Sequence, residues 1–338
     1  MIKGTIKQIF TFLVVCCLLI MPVGCGDQTS QNGGESETYV GVMATGSTGA
    51  QAYVIGAAIS KIVAAQYPEI QITVQSSGGG KENMELICEK KADFGYLYQA
   101  DAEAALNGLA DYAGKQDRYK VLRGVFAYDY GALQIATRTE TGIKTIYDLK
   151  GKTVSLGAPG SSGATYIWPN VLKNYDITEE NTNFTYLTTE NAAEALGDKV
   201  IDAMCILTSG QIAGISNLAM SQQVTLASIP HNEDLDKVLK NVPGMYKSFQ
   251  KPDLYGKNQV QPQPGPVETI GMAASIATRD DVSEEVIYKI AKAVFENLTE
   301  LHASTEQAKM ITIEDCLQYQ YLPLHPGVEK YFREIEVI

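Results

Sequence analysis

Histidine and tryptophan are scarce in this 338-residue sequence, and the common catalytic motifs are missing. There is one tryptophan, and the three histidines are His231, His302 and His325. The chain has no HExxH zinc motif, no GxSxG nucleophile elbow, no complete GxxxxGK[ST] phosphate loop and no GxGxxG dinucleotide motif. No cysteine stands at CxxC or histidine spacing, so a metal site is not expected. The sequence therefore predicts a protein that is not an enzyme and that needs no cofactor or metal.

Positive charge is also in short supply. The chain has 27 Lys and Arg residues against 39 Asp and Glu residues, a net charge of −12. This deficit argues against nucleic acid as a partner and against attachment to a membrane through a basic patch. Hydrophobic residues make up 45% of the chain and charged residues 20%, which is typical of a globular protein. The length suits two domains.

An apolar run near the N-terminus, Ile9 to Met21, is too short to cross a membrane, which takes about 20 residues. Lysines precede it and small residues follow it, as in a secretory signal peptide. The run leads into Gly24-Cys25, which resembles the bacterial lipobox. We predict a signal peptide (1–24), lipidation of Cys25 and a polar tether (25–37), so that the protein is extracytoplasmic and anchored to the bacterial cell membrane. The alternative is an ordinary signal peptide that contains Cys25.

Three cysteines, Cys88, Cys205 and Cys316, lie beyond the predicted tether. Three is an odd number for a disulfide-bonded secreted domain. Each stands beside apolar residues, so buried free thiols are the expectation. A disulfide between Cys88 and Cys316 stays open, because sequence does not supply its geometry.

A strand, a turn rich in glycine and hydroxyl residues, and a helix follow one another four times, which predicts an α/β fold. The turns read TGSTGA (45–50), QSSGGG (75–80), GAPGSSG (157–163) and TSG (208–210). The first N–H groups of a helix have no intrahelical partner and carry the positive end of its dipole. In open α/β sheets such turns lie where ligands bind. A single turn of this kind is more simply an ordinary helix cap, but four of them favour a site.

We therefore expect an anionic group to be held by backbone N–H groups and hydroxyls, first of all at the turn of residues 161–164. The candidate ligand-binding residues are Thr45, Gly46, Ser47, Thr48, Tyr53, Ser76, Ser77, Gly78, Gln99, Ser161, Ser162, Gly163, Ala164, Thr208 and Ser209. The candidate aromatic walls are Tyr53, Tyr98, Tyr128, Tyr130, Tyr166 and Trp168. Arg123 and Arg138 either reach the ligand or lie on the surface. Asp101 and Asp129 either pair with a ligand amine or, more simply, are solvated.

Two long strand-like segments, 121–138 and 267–278, are predicted to cross between two lobes. Ser283 begins a helix with an apolar face after the second of them. The stretch 231–266 contains five prolines and no clear periodicity, so we predict loops there. Pro169 is expected to kink the helix that follows the third turn.

A family resemblance runs through nearly the whole chain after the tether. The segments TGSTGAQAY, QSSGGGKEN, KKADFGYLYQAD, DLKGKTVSLGAPGSSGAT, KVIDAMCILTSG and YLPLHPGVEKYFRE occur in this order. Together they resemble the TAXI family of extracytoplasmic solute-binding proteins of tripartite ATP-independent (TRAP) transporters. DLKGK with GAPGS, and PLHPG, are the most specific of them.

The resemblance implies an α/β, two-lobe, periplasmic-binding-protein-like (type II) fold with hinge strands and an interlobe ligand cleft. Lobe one would comprise residues 38–134 and 275–338, and lobe two residues 135–274. The expected ligand is glutamate, glutamine or a related small carboxylate, which a monomeric lipoprotein would deliver to TRAP membrane subunits. The alternative is a module that senses a ligand for a signalling partner. A permease gene beside this one would favour the first function and a sensor-kinase gene the second.

Overall fold

The computed structural model describes residues 38–338 except Gly49, Ser209, Pro243 and Gln263. The predicted signal peptide, Cys25 and the tether therefore lie outside the described residues. The strands are β1 Tyr39–Ala44, β2 Ile70–Gln75, β3 Phe94–Tyr98, β4 Leu122–Arg138, β5 Thr153–Ser155, β6 Asn183–Thr185, β7 Ala203–Thr208, β8 Val224–Ala227, β9 Met245–Gln250 and β10 Val267–Arg279. The helices are α1 Gln51–Gln66, α2 Gly80–Cys88, α3 Gln99–Asn107, α4 Gln116–Tyr119, α5 Trp168–Asn174, α6 Thr189–Gly197, α7 Ala213–Ser221, α8 Glu233–Asn241, α9 Glu284–Glu296, α10 Leu298–Ser304, α11 Ile313–Gln318 and α12 Pro326–Glu334.

The strands form one mixed sheet in the order β2-β1-β3-β10-β4-β7-β5-β6, with β8 paired to β4 and β9 paired to β10. The pairs among β1, β2 and β3 and among β5, β6 and β7 are parallel, and β10 runs antiparallel to β3 and β4. β4 pairs with β10 through residues 122–132 and with β7 through residues 132–137. Two long strands thus pass through both parts of the sheet. The predicted α/β, two-lobe type II fold is confirmed, and so are the two crossing strands.

A hydrophobic cluster that contains both Leu97 of β3 and Leu172 of α5 joins the two parts of the sheet, and two further clusters each support one part. In one, Ile59 of α1, Val294 of α9 and Phe332 of α12 are fully buried. In another, Leu196 of α6 packs with Ile215 of α7. Helix α9 buries the apolar face that its sequence predicts, and Ser283 stands at its N-cap, although the Ser283 side chain makes no capping hydrogen bond.

The prediction of loops throughout 231–266 is wrong for two segments, α8 and β9. Helix α8 begins at a capped turn, where the Asn232 side chain accepts hydrogen bonds from the N–H groups of Asp234 and Leu235. Leu235, Val238 and Leu239 stand three and four positions apart, and Leu235 and Val238 are buried, so the helical pattern is present in the sequence and was missed. Strand β9 pairs with β10 alone, as an edge strand.

The chain is helical on both sides of Pro169, and the kink expected there stays a prediction. A π-helix, Gly163–Ile167, leads directly into α5, and Pro169 stands at the start of α5. Proline has no N–H to donate to a preceding carbonyl, and its ring crowds the carbonyl four residues earlier. The wider π-helical turn before it accommodates both effects.

The three cysteines of the described residues are free thiols, as predicted: Cys205 and Cys316 are buried and Cys88 is half-buried. Burial raises the pKa values of the Cys88 and Cys316 thiols to about 12. His325 has the structural position that its turn suggests. Its Nδ1 accepts a hydrogen bond from the Gly327 N–H at 3.2 Å, at the N-cap of α12. Within the described residues, no helix has both the length and the apolar character to cross a membrane.

Candidate functional site

The ends of β1, β2, β5 and β7 meet around a cavity of about 400 Å³, here called the cleft cavity. The predicted ligand-binding residues that line it are Thr45, Gly46, Ser47, Ser77, Gly78, Ser161, Ser162 and Gly163. Thr208 lines a wider groove of about 870 Å³, which shares Ser47, Tyr130 and Leu207 with the cleft cavity and so opens onto it. The predicted residues that line neither space are Thr48, Tyr53, Ser76, Gln99 and Ala164. Ser209 lies outside the described residues.

Two of the predicted hydroxyl groups are already engaged within the protein. Thr45 Oγ1 donates to the Gln75 carbonyl at 3.0 Å, and Ser77 Oγ donates to Asn83 Oδ1 at 2.5 Å. Asn83 Nδ2 in turn donates to the carbonyls of Thr45 (2.7 Å) and Tyr96 (2.8 Å). These hydroxyls therefore shape the first two turns instead of offering free hydrogens to a ligand.

Asn83 is fully buried, and the sequence analysis missed it. It shares the buried face of α2 with Gly80, Met84 and Ile87. A polar residue on an otherwise apolar helix face was the signal that could have revealed it, since a buried amide must find hydrogen-bond partners.

The turn of residues 161–164 begins the helix that follows β5. Ser161 Oγ accepts from the Ala164 N–H at 3.3 Å, so this side chain caps the turn. The N–H groups of Ser162 and Gly163 are among the first of the helix and have no acceptor within it. Ser162 itself is 2% exposed, and its Oγ accepts from the backbone N–H of Lys81 at 3.1 Å. The second and third turns therefore touch, and they close one side of the cleft cavity.

Two glycines favour the close approach of these turns. A Cβ at Gly80 would lie 3.4 Å from Ser162 Oγ and 3.3 Å from the ring of Tyr98. Gly79 has a φ of +111°, which a residue with a side chain rarely adopts. The glycines of the QSSGGG turn thus allow its backbone to reach across to the third turn.

Aromatic side chains form one wall of the cleft cavity. The Tyr96, Tyr98 and Tyr130 rings lie with their centroids 5.2–5.5 Å apart, and Trp168 also lines the space. Tyr98, Tyr130 and Trp168 were predicted walls, whereas Tyr96 was missed. The remaining predicted aromatic residues, Tyr53, Tyr128 and Tyr166, do not line the cavity.

Two buried donors on this wall are unused. The Tyr96 hydroxyl and the Trp168 Nε1–H have no hydrogen-bond partner in the part of the chain that the structure describes. Tyr96 is 3% exposed and Trp168 is 0% exposed. Burial raises the pKa of Tyr96 well above its ordinary value, so the hydroxyl keeps its proton. Because unpaired buried donors are costly, both are suited to an acceptor atom of a ligand.

No cation compensates a ligand charge here. Of the described residues that line the cleft cavity, Glu190 alone is charged. Arg123 pairs with Asp280 at 3.3 Å, and buried Arg138 donates to the carbonyls of Leu196 and Ile201. Neither arginine reaches the cavity. Among the described residues, no three His, Cys, Asp or Glu side chains are grouped as metal ligands.

The two aspartates considered for a ligand amine lie outside the cavity. Asp129 accepts hydrogen bonds from the Gly131 N–H and the Tyr246 hydroxyl. Asp101 is fully buried, so its interpretation as a solvated carboxylate is wrong. Burial raises the pKa of Asp101 to about 6, against the opposing effects of the neighbouring Ser162 hydroxyl and Lys81.

Residues 43–335 match the NMT1-like family, and the chain belongs to that family. Similar solved structures include the alkanesulfonate-binding protein SsuA from Xanthomonas axonopodis pv. citri, bound to MOPS. It is 18% identical, covers 88% of this chain and 84% of its own, and has a TM-score of 0.44. A binding protein of a phosphonate ABC transporter from Pseudomonas aeruginosa is 14% identical over 81% of this chain and 80% of its own (TM-score 0.49). A marine metagenome TRAP solute-binding protein in complex with 3-hydroxybenzoate is 12% identical over 88% of this chain and 91% of its own (TM-score 0.45). Identities this low transfer no residue's role.

Proposed function

We propose that this chain is a solute-binding protein that captures a small organic anion in the cleft cavity. The observation that carries this proposal is a cavity lined by the glycine and hydroxyl turns, with the start of a helix at Ser162 and Gly163 on one side and an aromatic wall that holds two unpaired buried donors, Tyr96 O–H and Trp168 Nε1–H, on the other. Backbone N–H groups at a helix N-terminus bind anions. The absence of Lys and Arg from the described lining favours a weakly charged carboxylate over a multiply charged anion.

The finer proposal is that the ligand is glutamate, glutamine or a related carboxylate, and that the protein is a TAXI-type receptor for TRAP membrane subunits. The segments that resemble the TAXI family support this assignment. Glu190 adds a physical reason for an amino acid, because its carboxylate lines both the cleft cavity and the adjoining groove and can pair with an ammonium group. We retain residues 38–134 with 275–338, and residues 135–274, as the two lobes that would close on the ligand.

A ligand screen tests the proposal. The protein is unfolded and refolded to remove co-purified ligand, and the released small molecules are identified by mass spectrometry. Amino acids and oxo-acids are then added to the refolded protein. A ligand that binds only the folded state raises the melting temperature with the logarithm of its concentration above Kd. If no carboxylate in the panel shifts the melting temperature, the proposed ligand class is wrong.

A charge variant tests the amino-acid assignment. In Glu190→Gln, the affinity for L-glutamate should fall by about twofold to tenfold, because an exposed ion pair contributes little more than 1 kcal/mol. The affinity for the corresponding oxo-acid, 2-oxoglutarate, should not fall. The matched control is Glu179→Gln, at an exposed site away from the cavity. An equal loss for both ligands would contradict recognition of the amine.

We also propose that the mature protein is a lipoprotein attached through Cys25, which lies outside the described residues. Expressed in a bacterium, the wild type should fractionate with membranes, and Cys25→Ser should not be lipidated. Cys88→Ser is the matched control, since it removes a half-buried thiol and leaves the predicted lipid site. A wild-type chain that is found in the soluble fraction and begins at a residue other than Cys25 would refute the anchor.

A further inference from the structure

The chain that follows β5 packs against the chain that follows β2 and β3, and both lie beside the cleft cavity. The Lys81 N–H donates to Ser162 Oγ at 3.1 Å, and the rings of Tyr112 and Tyr166 meet edge to face with their centroids 6.4 Å apart. Ser162 and Tyr166 follow β5, whereas Lys81 follows β2 and Tyr112 follows β3. These contacts therefore join the two parts of the sheet on one side of the cavity.

A carboxyl group is buried at this junction. Asp101, in the first turn of α3, is 0% exposed. Neither of its carboxyl oxygens has a hydrogen-bond partner in the part of the chain that the structure describes. An unpaired carboxyl group is tolerated in a protein interior as the neutral acid, but as an anion it is costly there. Burial accordingly raises the pKa of Asp101 to about 6.

The groups that face Asp101 offer its anion little compensation. Lys81 and the Ser162 hydroxyl lower its pKa, but their effect is smaller than that of burial. The Lys81 ammonium group is itself paired with the exposed Asp111 at 3.1 Å. The other titratable groups around the carboxyl are the hydroxyls of Tyr98, Tyr112 and Tyr166. Burial raises the pKa values of all three, so they stay neutral while Asp101 titrates.

We propose that Asp101 is a pH-sensitive switch for the cleft: the neutral carboxyl group stays buried against the chain that follows β5 and permits the closed arrangement, whereas the ionised carboxylate favours separation of that chain from α2 and α3. Separation removes Ser162 and Tyr166 from one side of the carboxyl group and admits water, which solvates the anion. The inference rests on the two lobes proposed above, but it does not depend on which ligand the cleft cavity binds.

The sign of the effect follows from the two pKa values of Asp101. The closed arrangement, with a pKa of about 6, binds the proton more tightly than an open one in which the carboxyl group reaches water and has its ordinary pKa of 3.8. Closure is therefore favoured at low pH. The ratio of open to closed molecules should rise by up to about tenfold per pH unit between about pH 4 and pH 6, and then level off.

Trp168 can report this opening without any added ligand, because it is the single tryptophan, is 0% exposed and lines the cleft cavity. Acrylamide quenching of its emission is measured from about pH 4 to about pH 7. In the wild type, quenching should increase as the pH rises, because the separated turns admit the quencher. In Asp101→Asn, whose amide is neutral at every pH, quenching should stay at the value that the wild type has at low pH.

Glu103→Gln is the matched control. Glu103 is a half-buried carboxylate on the same helix, and it lines a cavity separate from the cleft cavity. This variant should keep the pH profile of the wild type. Small-angle scattering supplies a second measurement, in which the radius of gyration of the wild type should increase over the same pH range and that of Asp101→Asn should not.

Two results would overturn the proposal: a wild type whose quenching and radius of gyration do not change with pH, or an Asp101→Asn variant that changes as the wild type does. If Asp101→Asn does not fold, as judged by circular dichroism, Asp101→Ala supplies the deciding variant. It is also neutral at every pH, and it matches the residues on either side, Ala100 and Ala102.

Discussion

The backbone N–H of Lys81 donates a 3.1 Å hydrogen bond to the hydroxyl oxygen of Ser162, which lies 81 positions further along the chain. Lys81 belongs to the first turn of α2 and Ser162 to the turn after β5. The bond joins turns at the ends of strands that lie on opposite sides of the β10–β4 pair. It is thus a contact through which closure of the cleft can be tested.

Ser162→Ala removes the acceptor for the Lys81 N–H and leaves that donor buried without a partner. We expect the affinity for the ligand found in the carboxylate screen to fall roughly tenfold, or about 1.4 kcal/mol, because the contact between the second and third turns, which line the cleft cavity, loses a hydrogen bond. Calorimetric titration measures this. Ser76→Ala is the control, because Ser76 is exposed and does not line the cavity. Equal affinities of Ser162→Ala and the wild type would show that this bond does not support the bound state.

Trp168→Phe keeps a ring in the aromatic wall and removes its unused Nε1–H. Binding of an anion should weaken by about twofold to tenfold, the effect of one hydrogen bond. As the only tryptophan, Trp168 should also change its emission saturably as ligand is added to the wild type. Tyr53→Phe serves as the control, since Tyr53 does not line the cavity. A ligand that binds without altering the emission would lie elsewhere in the protein.

Asp101→Asn should change how stability depends on pH. The Asp101 carboxyl has a pKa of about 6 in the folded protein and an ordinary value of 3.8, so the folded state binds its proton more tightly. The wild type should therefore lose roughly 3 kcal/mol of stability from this group as the pH rises from about 4 to above 6. The charged or titratable groups around it are Lys81, Tyr98, Tyr112 and Tyr166.

Denaturant unfolding at several pH values measures this difference between the wild type and Asp101→Asn. The free energy of unfolding of the variant should not fall as the pH rises above 6. At pH 7 the variant should be at least as stable as the wild type. Asp253→Asn, at an exposed carboxylate, should follow the wild type. Parallel pH profiles of wild type and Asp101→Asn would contradict the prediction.

His325 should stabilise α12 only while its ring is neutral. Nδ1 accepts from Gly327 and Nε2 contacts the Val282 carbonyl at 3.0 Å, and burial lowers the pKa of the ring. A lowered folded-state pKa means that stability is present above about pH 6.5 and is lost as the pH falls. His325→Leu should cost about 2 kcal/mol through the lost cap and the unpaired carbonyl.

His325→Asn provides the comparison, because asparagine also caps helices well. Thermal unfolding at neutral pH should place the Asn variant between the wild type and His325→Leu. On acidification the wild type should lose its advantage over the Asn variant. A constant difference between the two at all pH values would exclude a role for protonation of His325.

The turns were predictable because glycine and hydroxyl residues recur after β1, β2, β5 and β7, where the chain turns toward a helix. The roles of their side chains were not predictable. Thr45 Oγ1 donates to the Gln75 carbonyl, which is distant in sequence, and Ser77 Oγ donates to Asn83, which lies on the buried face of α2. Tyr96 was missed because strand β3 is apolar on both faces, and nothing in its sequence distinguishes the face toward the cavity. Helix α8 was missed although Leu235, Val238 and Leu239 have helical spacing, because the five prolines of residues 231–266 were taken to indicate loops.

The position of β10 has a consequence for the order in which the protein can fold. β10 is the last strand in the sequence, yet it lies in the middle of the sheet, between β3 and β4. Until residues 267–279 have been synthesised, β3 and β4 each lack the neighbour that joins them. Contacts from residues even later in the chain also hold β4, since the His325 N–H donates to the Gly124 carbonyl of β4 at 3.0 Å. A nascent chain therefore cannot complete its central sheet before residues 267–279 have left the ribosome.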